Sequence, residues 1–293
     1  MISEYWIWAA WFTKVILYLG MACVLGGAFC YFLLNRSLKI KEFILKYMAI
    51  GAGFGLLSST FGFFILIGSF ANTGLTGMWD PTYINILVNS PVGYTHILRS
   101  ISFALLLVLL LIKISSNKTE STIVEALIFV VLMMLILFSF SQLGHVANLP
   151  VLAQILLSLH VLGMSLWMGA LYPLWKISRA IKGFALKERM HLFGRIATFI
   201  VALLIACGAS IALLLVQDVN TFIHTAYGTG FIIKLLLVIS LLLLAAFNKW
   251  YFTPRLQKPD AAQYLGYSIL VEMCLGLAIL STTGYITTVV GID

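Results

Sequence analysis

Eight apolar runs dominate this chain, and each is long enough to cross a lipid bilayer. Their approximate bounds are 5–34, 47–70, 95–114, 122–143, 152–175, 192–216, 229–248 and 266–289. A bilayer core of about 30 Å needs an α-helix of roughly 20 residues. Charged residues make up only 10% of the chain, whereas soluble proteins carry about 25%. The sequence therefore predicts an all-α polytopic membrane protein with eight transmembrane helices in a single membrane domain, 1–293.

The basic residues predict on which side of the membrane each end lies. Of the 18 Lys and Arg residues, 15 fall in the connections after the first, third, fifth and seventh runs. The opposite connections, 71–94, 144–151 and 217–228, contain no basic residue but include Asp80 and Asp218. Because Lys and Arg concentrate on the cytoplasmic side, we expect both termini outside a bacterial inner (cytoplasmic) membrane. The net charge of +8 then reflects topology and contact with anionic membrane lipids, and no nucleic-acid partner is expected.

The first four runs and the last four share a pattern of charges and small residues. Arg99 follows Gly93 by six residues in the third run, and Lys234 follows Gly228 by six residues in the seventh. The first run contains GMACVLGGAFCYFLL where the fifth contains GMSLWMGALYPLW, and a basic connection follows each. The order and spacing of these features favour an internal repeat.

Glutamates provide a further match, because Glu125 and Glu272 lie near the inner ends of the fourth and eighth runs. An even number of helices in each unit gives two units of the same orientation. We therefore predict a four-plus-four parallel repeat, with units at about 1–143 and 144–293. The alternative is that apolar helices resemble one another through composition alone.

Three histidines fall at outer helix ends or in outer connections. They are His96, His145 and His224, and two of the outer connections also contain Asp80 and Asp218. A cluster of imidazoles at an outer vestibule would suit the capture of a borderline or soft metal ion. The three histidines are therefore candidate metal ligands.

A fourth histidine is predicted to lie within the hydrocarbon. His191 falls in an inner basic connection, but His160 lies about eight residues into the fifth run, where an ionisable group is costly and by default a functional candidate. Met164, Trp167 and Met168 follow on the same helix face. An imidazole followed by thioethers is what a path for Cu(I) would need, because soft sulfur ligands favour that ion. The structural alternative is that His160 bonds a backbone carbonyl while the methionines fill space.

Four further charges lie within the runs or near their ends. Arg99 and Lys234 are near the outer side, and Glu125 and Glu272 near the inner side. Long charged side chains can reach the interface and serve structure. Glu272 lies further into its helix, so we expect it to act as a counter-charge or a proton acceptor. The sequence shows no nucleophile–base pair and no carboxylate dyad, so we do not expect an enzyme.

A series of short motifs runs through the second half of the chain in order. They are GHVA at 144–147, LH at 159–160, WMGAL at 167–171, YG at 227–228, KL at 234–235, NK at 248–249 and PRL at 254–256, followed by Glu272 and Gly276. This series resembles the CopD/PcoD family of copper-resistance membrane proteins over about 144–290. The first half is compatible with the resemblance through Gly93 and Arg99.

The resemblance implies transport of copper across the inner membrane, with uptake from the periplasm expected, as part of copper homeostasis or resistance. It also implies a periplasmic copper-binding partner of the CopC type. The chain has no GxxxxGK[ST] motif, so gradients or partners would have to drive transport. Two alternatives remain open: an electron carrier that binds haem b between histidines, and a non-transporting factor that helps to assemble a copper oxidase.

Overall fold

Eight long helices make up the protein, as seen in a computed structural model that describes residues 4–34, 38–116, 122–215, 225–258 and 260–290. They are α1 (Glu4–Leu33), α2 (Leu38–Ala71), α3 (Pro91–Ser115), α4 (Ile123–Ser141), α5 (Val151–Ala180), α6 (Gly183–Leu215), α7 (Ala226–Phe247) and α8 (Ala261–Tyr285). Within the described residues, these eight helices are long and apolar enough to cross a membrane, and no strand occurs. The prediction of an all-α, eight-helix membrane protein is confirmed.

Two helices begin well before their apolar runs. The sequence placed the second and sixth runs from 47 and 192, but α2 begins at Leu38 and α6 at Gly183, nine residues earlier in each case. His191, predicted to lie in a connection, is therefore helical. Hydropathy reports which part of a helix can face lipid, whereas the backbone continues as helix into the charged interface. On this extension of α2, Lys46 and Glu42 form an exposed ion pair of 2.6 Å one turn apart.

The connection between α2 and α3, predicted to lie on the outer side, is ordered by short helices. A 3-10 turn, Leu75–Trp79, leads into a helix at Pro81–Val88. The carboxylate of Asp80 accepts hydrogen bonds from the backbone N–H groups of Thr82 (2.9 Å) and Tyr83 (3.3 Å). Asp80 is thus the N-cap of this helix, a position that carboxylates favour because helix N-termini have unpaired donors. Its carboxylate already has a structural function here.

The helices α1 and α5 touch backbone to backbone near the centre of the protein. Gly26 of α1 faces Gly169 of α5, and Gly169 also lies against the carbonyl of Ala22. A Cβ atom on either glycine would overlap the opposite backbone. Tyr47 of α2 donates a hydrogen bond of 2.9 Å to the carbonyl of Gly169. Small residues let membrane helices approach closely, which increases van der Waals packing where lipid provides no hydrophobic driving force.

The two glycines in contact occupy matching places in the predicted repeat. Gly26 follows Gly20 by six residues, and Gly169 follows Gly163 by six. Gly20 packs on α2 at Gly55, while Gly163 packs on α6 beside a leucine. Matching residues meet each other near a two-fold axis, so the contact favours the predicted parallel repeat. The repeat itself stays a prediction.

The two halves also meet at the ends that are predicted to be the outer ones. The indole N–H of Trp11 in α1 donates to the carbonyl of Ser281 in α8 over 2.9 Å. Between α4 and α5, the side-chain amide of Gln142 donates to that of Gln154 over 3.2 Å. Each of the central helices α1 and α5 is thus joined to the last helix of the other half.

We expect Gly169→Ala to weaken the centre of the protein. The added methyl group would push α1 and α5 apart, and overpacking of this kind costs about 1–3 kcal/mol. Thermal unfolding in detergent would show a lower midpoint. Gly53→Ala is the control, because no heavy atom lies within 4 Å of a Cβ there; its midpoint should be unchanged or higher. Equal midpoints for the two variants would contradict the close contact.

Candidate functional site

His160 faces a neighbouring helix from within α5. Its Nδ1 lies 3.1 Å from the backbone carbonyl of Leu204 in α6, and its ring packs over Gly208, one turn further along. A carbonyl oxygen can only accept, so Nδ1 carries the hydrogen and the lone pair on Nε2 is available for another ligand. This hydrogen bond corresponds to the structural alternative raised from the sequence, in which His160 bonds a backbone carbonyl. It is also the arrangement that fixes the tautomer of a metal-binding histidine.

Met164, Trp167 and Met168 lie on the same face of α5 as His160, and these four residues form the α5 stripe, which continues toward α8. Met164 and Met168 are half-buried, and Trp167 is buried. The thioether of Met168 covers Gly276 of α8, where a Cβ atom would overlap it. The stripe therefore lies against α6 at His160 and against α8 at Met168.

A cavity of about 280 Å³ lies between α5, α6, α7 and α8. Its walls are mostly apolar and include the buried Trp167. The polar side chains on its walls come from α6, the inner end of α7 and α8: Thr198, Asn248, Lys249, Thr253 and Glu272. None of the described residues that line it is a histidine, the residue type by which a helical bundle holds haem b.

Glu272 is the buried acid on the wall of this cavity. Its side chain is only 4% exposed, and its Oε1 accepts a hydrogen bond of 2.8 Å from the Nδ2 of Asn248. Asn248 is itself buried, and its Oδ1 has no hydrogen-bond partner among the described residues. In the described part of the chain, Glu272 forms no ion pair. Its partner is therefore a neutral amide.

A π-helical turn begins at Asn248. The turn covers Asn248–Phe252, and Thr253 closes it by donating its hydroxyl to the carbonyl of Asn248 over 2.9 Å. Turns of this type are rare and occur frequently at functional sites. Sequence reasoning noted Asn248 only as part of a family motif and missed it as the partner of Glu272. The available signal was an amide at the end of an otherwise apolar run.

The two cations of the outer half have different surroundings. Arg99 is buried in α3 and donates to the hydroxyl and carbonyl of Ser139, over 2.9 and 3.1 Å. Its guanidinium also stacks 4.6 Å from the centroid of the Phe140 ring. Lys234 is half-buried in α7, close enough to His160 to interact with it electrostatically. Arg99 is thus tied to α4 by hydrogen bonds and a cation–π contact.

Of the three histidines predicted to lie on the outer side, the structure describes the side chain of His96 alone. The Nδ1 of His96 donates to the carbonyl of Ser59 in α2 over 3.1 Å. His145 begins a short 3-10 turn, but its side chain lies outside the described part of the structure, as do His224 and Asp218. Among the described residues, no group of three or more His, Cys, Asp or Glu side chains could hold a metal ion. The outer vestibule stays a prediction.

Comparison with protein families identifies both halves of the chain. The profile of the copper resistance protein D-like N-terminal domain matches residues 1–154, and that of copper resistance protein D matches residues 187–286. The chain belongs to the copper resistance protein D family. Its predicted resemblance is confirmed and extends over the first half as well. No curated protein and no solved structure has a significant match to the chain.

The family match relates the protein to copper resistance. Together with the eight apolar helices, it identifies a multi-pass membrane protein. The second matched region includes Lys234, Asn248 and Glu272. Residues 155–186, which include His160, lie between the two matched regions. The cavity of Glu272 is therefore built mainly from residues that the family profile covers, and the α5 stripe from residues that it does not.

We expect Ser139→Ala to destabilise this copper resistance protein D homologue. The variant leaves the buried guanidinium of Arg99 without its hydroxyl acceptor, and hydrogen bonds to charged groups contribute about 1.5–3 kcal/mol. Thermal unfolding in detergent measures the loss. Ser210→Ala is the control, because the Ser210 hydroxyl bonds only the carbonyl of Ala206 within α6 and is exposed. A loss of the same size in both variants would show that Arg99 does not depend on Ser139.

Proposed function

We propose that the protein transports copper across the bacterial inner membrane, with uptake from the periplasm as the direction, and thereby contributes to copper homeostasis. The observation that carries the proposal is the position of the α5 stripe. His160 lies against α6, Met168 lies against α8, and Trp167 reaches the cavity of Glu272. Imidazole and thioether groups thus follow one another toward the inner ends of the second-half helices, and this face of α5 also reaches the cavity through Trp167.

The ligand chemistry favours Cu(I) over Cu(II) as the substrate. Thioethers are soft ligands that suit Cu(I), and weak sites allow an ion to leave as well as to enter. The Nε2 of His160 would be the first ligand within the membrane, followed by Met164 and Met168. The ammonium of Lys234 lies near His160, and Coulomb repulsion by it is half as large for a monovalent ion as for a divalent one.

Copper is proposed to enter from the outer side. The predicted orientation places His96, His145 and His224 there, where a periplasmic copper-binding partner of the CopC type would deliver the ion. The orientation follows from the basic residues at the opposite helix ends. The absence of a nucleotide-binding motif from the sequence favours a driving force from ion gradients or from the partner.

We expect His160→Ala to lower copper uptake into proteoliposomes by about tenfold or more, as for the loss of a group on which metal binding depends. His160→Asn separates the two roles of this residue. An asparagine amide can still donate to the Leu204 carbonyl but offers no imidazole lone pair. Uptake by His160→Asn should therefore be as low as by His160→Ala.

The control is His191→Ala, because His191 is an exposed residue of α6 and its loss should leave uptake unchanged. Uptake at the wild-type rate in His160→Asn would show that His160 serves only the contact between α5 and α6 and does not bind copper. Because the assay contains only the protein and lipid, it also distinguishes transport from a role in assembling a copper oxidase.

We expect Met168→Leu to reduce copper uptake without loss of stability. Leucine conserves most of the volume, and such exchanges usually cost less than about 1.5 kcal/mol, but it removes the thioether. Met133→Leu is the matched control, since Met133 is a buried methionine of α4 that does not belong to the stripe. The measurement is copper uptake together with the thermal midpoint. Equal uptake by the two variants would exclude Met168 from the path.

A further inference from the structure

The inner ends of α3 and α7 carry polar residues at matching positions. Lys113 follows Arg99 by fourteen residues in α3, and Asn248 follows Lys234 by the same number at the end of α7. Each then contacts the glutamate of the next helix. Lys113 Nζ lies 3.3 Å from Glu125 Oε2, and Asn248 Nδ2 lies 2.8 Å from Glu272 Oε1. The two halves thus have the same acid with different partners.

The two partners suit different protonation states of the acid. An ammonium group has only donors, so Lys113 stabilises the anionic form of Glu125. A side-chain amide has both donors and an acceptor, so Asn248 can donate to a carboxylate through Nδ2 or accept from a carboxylic acid through Oδ1. Rotation of the Asn248 side-chain amide exchanges the donating Nδ2 for the accepting Oδ1. Its Oδ1 is buried without a partner in the described part of the chain, as expected of an acceptor that is used in one state only.

Burial adds to this difference. Glu125 is 41% exposed, so water stabilises its charge in addition to Lys113. Glu272 is 4% exposed, and an ionised carboxylate is costly to bury without a counter-charge. Glu272 therefore lies where both its charged and its neutral form are accessible, whereas the surroundings of Glu125 favour the charged form.

Other charged groups near Glu272 are few. The cavity residues of α5, α6 and α8 carry no charge apart from Glu272 itself, and the inner end of α7 contributes Lys249. The ammonium of Lys249 donates to the hydroxyl of Thr198 over 2.6 Å, and it forms no ion pair with Glu272 among the described residues. The positive charge of Lys249 would favour the ionised form of Glu272, whereas burial favours the neutral form, so the two forms are opposed by different effects.

We propose that Glu272 is a proton-exchange site whose two states are both held by Asn248. On protonation, an O–H bond forms on the Glu272 carboxylate with a proton delivered by a hydronium ion, which breaks one of its own O–H bonds and leaves as water. The hydrogen bond from Asn248 Nδ2 breaks, the amide rotates, and the new O–H donates to Asn248 Oδ1. On release, the proton returns to water and the first arrangement is restored.

A proton fits this site better than copper does. The polar ligands at Glu272 are a carboxylate and an amide oxygen, which are hard; the described residues that line the cavity include neither histidine nor cysteine, and Met190 provides a single thioether. Cu(I) favours soft sulfur ligands. The exchange would couple copper movement to a proton gradient, and only this coupling depends on the proposed transport function.

Infrared difference spectroscopy during a pH titration of the purified protein tests the exchange itself. Each of the ten Asp and Glu residues gives a C=O band when protonated, so the band to follow is the high-frequency component of a carboxyl group shielded from water. The wild type should show this band on acidification, and the band should shift in deuterated water. Glu272→Gln should lose this band, and Glu125→Gln should keep it. Asn248→Lys copies the pair of the first half, so it should hold Glu272 ionised and lose the band as well. A band retained in Glu272→Gln would overturn the proposal, and helicity and thermal midpoints of the same samples identify a variant that is misfolded.

Copper uptake into proteoliposomes with an imposed pH gradient tests the coupling. Wild-type uptake should change with the gradient, and uptake by Glu272→Gln should no longer respond to it. The same response in both proteins would overturn the coupling. If the wild type took up no copper under any gradient, transport and coupling would both fail, while the infrared titration would still decide whether Glu272 exchanges a proton.

Discussion

The close contact between α1 and α5 is the interaction on which the arrangement of the other helices depends. In lipid, apolar side chains gain little by leaving the surrounding chains, so close packing of backbones must hold helices together. Gly26 and Gly169 allow that approach, and Tyr47 anchors it with a hydrogen bond to the Gly169 carbonyl. The helix α1 is accordingly the most buried of the eight, and α7 the least.

Hydropathy predicted the number of helices because lipid imposes both the length and the composition of a span. It misplaced the beginnings of α2 and α6 by nine residues because charged residues end an apolar run without ending a helix. The matching motifs predicted that Gly26 and Gly169 are equivalent. They could not predict that these glycines touch, because a pattern along one helix does not specify its neighbour.

For the candidate site, the sequence predicted which residues share a helix face but not which helices those residues contact. Helical spacing placed His160, Met164 and Met168 on one face of α5, but only the packed structure gives that face its neighbours in α6 and α8. Glu272 was identifiable as an acid deep in a span. Its partner Asn248 was not, because the two residues lie on different helices and their contact depends on how α7 packs against α8.

The π-helical turn at Asn248 has a consequence for how the two halves diverged. One extra residue in a turn rotates every side chain beyond it by about 100°, since an α-helix has 3.6 residues per turn. On the predicted repeat, α3 and α7 therefore stay in step down to Lys113 and Asn248 and can differ freely after that point. A duplicated ancestral unit could thus acquire a new inner end in one copy while the shared packing above it was preserved. On that prediction, the turn separates the part of the helix that the two copies share from the part that was free to specialise.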